Sequence, residues 1–89
     1  MIRILLVEDE MLLRELMFEE LSESGYAVTP IATADEALRL IERDKAFDLL
    51  LTDIRMPGET DGWDLGRRAR QIIPAIRVIY ASGLSLIHI

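Results

Sequence analysis

"LLTDIRMP", Leu50 to Pro57, is an apolar run that stops at one carboxylate, Asp53, and meets a proline four residues later. A short apolar run without polar alternation reads as a strand buried on both faces, the habit of parallel sheets. The strand is predicted over Phe47–Thr52, ending at Asp53, and "MPGETDG" after it, dense in turn residues, is predicted as a loop. An aspartate at that boundary has two readings. It can cap the turn that follows, as Asp often does, or a rigid sheet can be aiming it at a ligand.

The flanking sequence repeats the pattern. Ile2–Val7 is a second short, β-branched apolar run. Glu10–Ser24 reads as a helix with Leu13, Leu16, Met17 and Leu21 inward, and Gly25 suits the position just past its end. Tyr26–Ile31 reads as a strand, and Pro30 within it points to a sheet edge, where no ladder donor is lost. Thr33 with Glu36 three residues on forms a capping box, followed by Ala34, Ala37, Leu38 and Ile41 at helical spacing. Trp63–Ile73 is predicted as a third helix with Leu65, Ala69 and Ile72 inward and Trp63 in packing. Arg77–Ser82 is predicted as a fourth strand. The order βαβαβαβ implies an α/β fold with a doubly wound parallel sheet.

Bulk composition narrows the function. The sequence has 89 residues, one domain or part of one. Its 51% hydrophobic content excludes a disordered acidic tail, and its net charge of −6 argues against direct nucleic-acid binding by this segment. Cysteine is absent, which removes disulfides and thiolate metal sites. No stretch approaches the ~20 apolar residues that span a bilayer. A cytoplasmic, non-membrane protein is expected.

In open α/β sheets ligands bind beyond the carboxyl ends of the strands, where strand order reverses. The first predicted strand ends in Glu8 and Asp9, the third in Asp53 and the fourth in Ser82. If the first and third strands are neighbours, three carboxylates converge. Such charges repel, and a hard divalent cation with oxygen ligands resolves the conflict. The set suits Mg²⁺-assisted phosphoryl transfer, with Asp53 as nucleophile and Ser82 as a hydrogen-bond donor to a phosphoryl oxygen. The plainer reading of Glu8 and Asp9 is that they cap the first helix. Gly58 and Gly62 are expected to serve turn geometry, and His88 is given no role.

These residues, "LLVEDE", "DLLLTDIRMPGETDGW" and "VIYASG" in this order, resemble the receiver domain of bacterial two-component response regulators, across Ile2 to Gly83. The resemblance implies a flavodoxin-like receiver fold and a signalling phosphoacceptor rather than an enzyme with turnover. It implies that Asp53 takes a phosphoryl group from a sensor histidine kinase or phosphotransfer protein. Mg²⁺ would then be held by Asp53, Asp9, the backbone carbonyl of Arg55, and Glu8 through water. Ser82 would be the hydroxyl that moves toward the phosphoryl group and switches the next loop. Slow self-dephosphorylation would be expected of the intact parent. Two alternatives stay open: a Mg²⁺-dependent phosphatase that also uses an aspartyl-phosphate, weakened by Arg55 where such enzymes place a second acid, and an interaction fragment that is not phosphorylated.

Two departures from the family pattern follow. "PGETDG" is one residue longer than the commonest family loop. The chain also stops before the last strand, with its lysine, and the last two helices, and any output domain of the parent would be missing too. Residues 1–83 are therefore expected to be a partial receiver domain. Residues 84–89 are expected to be non-native read-through, because Leu-Ser-Leu-Ile-His-Ile is what a transposon-end sequencing adapter encodes; the alternative is that "SLIHI" is native, the start of a fourth helix or a strand. The fourth strand is expected to be an unprotected edge, and the isolated chain marginal or molten.

Overall fold

The computed structural model describes residues 1–55, 60–82 and 85–88, with side chains as far as Ala81. The elements are β1 (Arg3–Val7), α1 (Met11–Glu23), β2 (Ala27–Ile31), α2 (Ala34–Arg43), β3 (Leu49–Asp53), α3 (Gly62–Ile72), β4 (Arg77–Ser82) and β5 (Ser85–His88). They form one sheet in the order β2-β1-β3-β4-β5. The first four strands pair in parallel, as a chain that inserts a helix between successive strands must. Pro30 lies on the edge strand β2 and is exposed, where its missing N–H costs no ladder bond.

The β4 edge differs from expectation. It is covered by β5, which pairs with it antiparallel in the register Ser82↔Ser85 to Ile79↔His88. Only two residues separate β4 from β5. That is far too few for the crossover a parallel pairing needs, so the chain can only double back.

The two sheet faces are covered unequally. Leu5, Val7, Leu50, Val78 and Tyr80 point to the face packed by α2 and α3, joined by Ala37, Ile41, Leu65 and Ala69. Ile4, Leu6 and Leu51 point to the other face, where Met17 and Leu21 of α1 lie against them. Leu13 and Leu16, expected inward, are 40% and 60% exposed. Helical spacing puts them beside the packed stripe, but nothing among the described residues lies over them. An open apolar groove of about 1010 Å³, floored by Ile4, Leu49, Leu51 and Ile79, runs along the same face.

Local signals set the helix boundaries. The Thr33 hydroxyl accepts from the Glu36 N–H at the start of α2, and Asp61 accepts from the Asp64 N–H at the start of α3. Gly25 ends α1 at φ 95°, a backbone conformation that suits glycine.

The end of the sheet remote from Asp53 is stitched by acids. The Arg3 N–H donates to the Asp48 carboxylate, and the Asp48 carbonyl accepts from the Arg77 N–H, which ties β1, β3 and β4 together. The Arg3 guanidinium makes a two-pronged contact with Asp44, at 3.1 and 2.7 Å, while lying 4.4 Å over the Phe47 ring. Arg3 and the Ala46 N–H hold the Asp44 carboxyl down at about 2, against its ordinary 3.8. A depressed carboxyl releases its proton more readily in the folded chain than in the unfolded one. Its stabilisation is therefore present above about 3.8 and is lost as pH falls through about 2. Asp44→Asn is expected to lower the urea midpoint at neutral pH. The gap between the two proteins should close across that acid interval, when both are unfolded in urea at stepped pH.

Candidate functional site

The chain leaves β1, builds β2 on one side, then crosses back to place β3 on the other. The point where winding reverses therefore lies between the carboxyl ends of β1 and β3, and it is there that open α/β sheets bind ligands. The register pairs Val7 with Thr52. The next residues along, Glu8 and Asp53, emerge side by side.

Glu8, Asp9 and Asp53 each place a carboxylate oxygen within 4.8 Å of the others. Their settings differ. Glu8 is 3% exposed, Asp53 is half-buried and Asp9 is exposed. Burial pushes the Glu8 carboxyl above its usual range; the Glu10 N–H, donating to it at 3.0 Å, opposes this, while contact with Asp9 and the charges of Asp53 and Asp9 add to it. Three acids held this close leave an excess of negative charge in part-buried surroundings, and oxygen is their only donor atom. That donor set fits a hard divalent cation and not a soft one. The plainer roles coexist with this one. Glu8 accepts a backbone N–H at the start of α1, and Asp53 accepts from the Arg55 N–H at 3.1 Å, an Asx-type turn.

The backbone under the acids is anchored by groups that the sequence did not flag. The Arg14 guanidinium donates to the Glu8 carbonyl at 2.8 Å and reaches that of Asp9 at 3.4 Å. The buried Thr52 hydroxyl donates to the Asp53 carbonyl at 3.0 Å. Gly62 lies against the same carbonyl: a Cβ there would sit 1.9 Å from the Asp53 oxygen. Its φ is not positive, so Gly62 is needed for closeness and not for the turn geometry expected of it. Arg14 could have been suspected as a lone cation in an acidic stretch. Nothing local in the sequence marks Gly62 as a contact.

Of the remaining predicted residues, Arg55 lies two positions after Asp53 and Ser82 ends β4, one residue beyond the Asp53↔Ala81 pair. The Ser82 and His88 side chains and the whole of Gly58 lie outside the described residues. Trp63 packs as expected, with its ring 4.3 Å from that of Tyr80. No helix among the described residues is long and apolar enough to cross a membrane.

A parallel sheet wound about this acidic switch point is the architecture of a signalling receiver. The family model of the response regulator receiver domain matches residues 4–87, and the chain belongs to that family. The response regulator receiver protein CpdR of Brucella abortus is 38% identical over 96% of this chain and 69% of its own length. Among solved structures, the response regulator TrrA of Thermotoga maritima, in complex with Mg(2+)-BeF, is 35% identical. It aligns over 96% of this chain and 72% of its own at a TM-score of 0.86. The structure of the histidine kinase ThkA in complex with TrrA shows the same identity and the same coverage at a TM-score of 0.84.

Gly62→Ala tests how closely α3 is docked behind Asp53. The added methyl has no room against a backbone oxygen, so α3 must lift. Overpacking of this kind costs roughly 1–3 kcal/mol. A loss of at least that size in the urea unfolding free energy is expected, and wild-type stability would refute the close approach.

Proposed function

We propose that this receiver domain accepts a phosphoryl group on Asp53 from the phosphohistidine of a sensor kinase or phosphotransfer protein. The observation that carries the reading is the convergence of the Glu8, Asp9 and Asp53 carboxylates at the switch point. The kinase bound to TrrA and the Mg(2+)-BeF in TrrA support it by likeness.

In the proposed reaction a carboxylate oxygen of Asp53 attacks phosphorus. The bond from phosphorus to the donor imidazole nitrogen breaks, its electron pair stays on that nitrogen, and an acyl phosphate forms on Asp53. Asp9, Asp53 and the Arg55 carbonyl would hold Mg²⁺ directly and Glu8 through water. When bound, the ion offsets the charge on the phosphoryl oxygens and on the acids. The sheet supplies aim: β3 fixes the root of Asp53, and Thr52, Gly62 and the Arg55 N–H fix its backbone and one carboxylate oxygen. Ser82, at the end of β4, would donate its hydroxyl to the phosphoryl group and carry the change to the next loop.

The product is a signal and not a released metabolite. Arg55 stands where an aspartyl-phosphate phosphatase would carry its acid/base carboxylate, which disfavours the enzyme reading. The partner is a kinase or phosphotransfer protein in the cytoplasm. The net charge of −6 keeps this segment off nucleic acid.

The test is labelling of the chain with acetyl phosphate. One phosphoryl group per chain is expected with Mg²⁺, none after EDTA, and none in Asp53→Asn. Steady release of phosphate from an unrelated ester would instead favour the phosphatase. Labelling that survives Asp53→Asn would remove Asp53 from the reaction.

A further inference from the structure

The end of β3 is enclosed by a closed ring of contacts. The Ile54 N–H donates to the Ala81 carbonyl of β4 at 3.3 Å, and the Ile54 carbonyl accepts from the Gly62 N–H of α3 at 2.9 Å. Gly62 leads covalently to Trp63. The Trp63 ring lies 4.3 Å from the Tyr80 ring, tilted by 44°. Tyr80 leads covalently to Ala81, and the ring is complete. Asp53 is the residue next to Ile54.

Every link of this ring but one is a backbone hydrogen bond or a peptide bond. The exception is the contact of Trp63 with Tyr80, the one link made by side chains. The fit around it is tight. Tyr80 is 7% exposed, and its phenol occupies the notch left by Gly66, where a Cβ would fall 2.0 Å from the hydroxyl oxygen. Gly66 lies one helical turn beyond Gly62, so two of the residues by which α3 meets the sheet have no side chain: one lies against the Asp53 carbonyl, one against Tyr80. Trp63 itself is 41% exposed. A residue chosen only to fill the core would be hidden, as Leu65 is two positions on.

We propose that Trp63 is a positioning residue for Asp53. Packed against Tyr80, it closes the ring around the end of β3 and fixes the angle at which the Asp53 carboxylate meets Glu8 and Asp9. This rests on the reading of the acidic cluster as a divalent-cation site. It adds a residue that touches neither the cation nor the phosphoryl group.

The test uses the whole chain, with Mn²⁺ as the probe, titrated by the electron paramagnetic resonance signal of the free ion. Wild type, Asp53→Asn, Trp63→Ala and Trp63→Phe are compared. Groups that orient metal ligands from behind typically cost 10–100-fold in affinity when removed, so about a tenfold loss is expected in Trp63→Ala. Trp63→Phe should recover most of that loss, because a ring still packs against Tyr80. Without metal, hydrogen exchange of the Ile54 and Gly62 amides should quicken in Trp63→Ala while those of Leu5 and Leu6 hold steady, the sign of a local opening. A tryptophan that served packing alone would lower the unfolding temperature, leave Mn²⁺ affinity unchanged and shift all amides together. Wild-type affinity in Trp63→Ala alongside weak binding in Asp53→Asn overturns this inference and spares the proposed function. Wild-type affinity in Asp53→Asn, or no Mn²⁺ binding by wild type, overturns both.

Discussion

The pairing of β1 with β3 is the constraint on which the rest depends. Their register, Ile4↔Leu49 through Val7↔Thr52, fixes which residues stand together when the strands end. A slip of one residue would turn Leu50 and Thr52 to the opposite face and Leu51 away from α1. Packing on both faces resists that slip, because Leu5, Val7 and Leu50 belong to one core and Ile4, Leu6 and Leu51 to the other. Hydrophobic burial, which has no direction of its own, is thereby converted into placement of charge at the switch point.

That placement opposes stability. Glu8 is buried beside two other acids, and its raised proton affinity is the sign of the conflict. The chain retains the arrangement because the surrounding backbone is over-determined. Arg14 holds the Glu8 and Asp9 carbonyls, Thr52 holds that of Asp53, and Gly62 brings a helix against the same atom. At the far end of the sheet the charges are matched, Arg3 against Asp44, and the electrostatics there are favourable. Opposing ends of one small sheet thus carry opposite electrostatic duties.

Much of this was legible in the residues. The runs "ILLV" and "LLLT" carry no polar alternation, so the parallel sheet could be read directly, and Pro30 marked its edge. The acids at the strand ends were legible for the same reason: once the strands are known, their last residues are known. Contacts distant in sequence were not. Arg3 and Asp44 are 41 positions apart, and no periodicity links them. Gly62 read as a turn glycine because local rules see φ and not the oxygen of a strand nine residues earlier. Leu13 and Leu16 lie near the apolar stripe of α1, and only the reach of the sheet beneath determines that Met17 and Leu21 are covered while they are not. For β5 the residues left helix and strand open, because its pairing depends on an available neighbour, β4, more than on its own composition.

The two edges of the sheet are chemically unlike. On β2, Pro30 removes a donor from the outward row. On β5 the outward row belongs to an ordinary four-residue strand. A strand added along β2 would therefore find a gap in its ladder at Pro30. A single proline thus leaves one edge of the sheet a poorer template for a further strand than an unbroken row of donors would be.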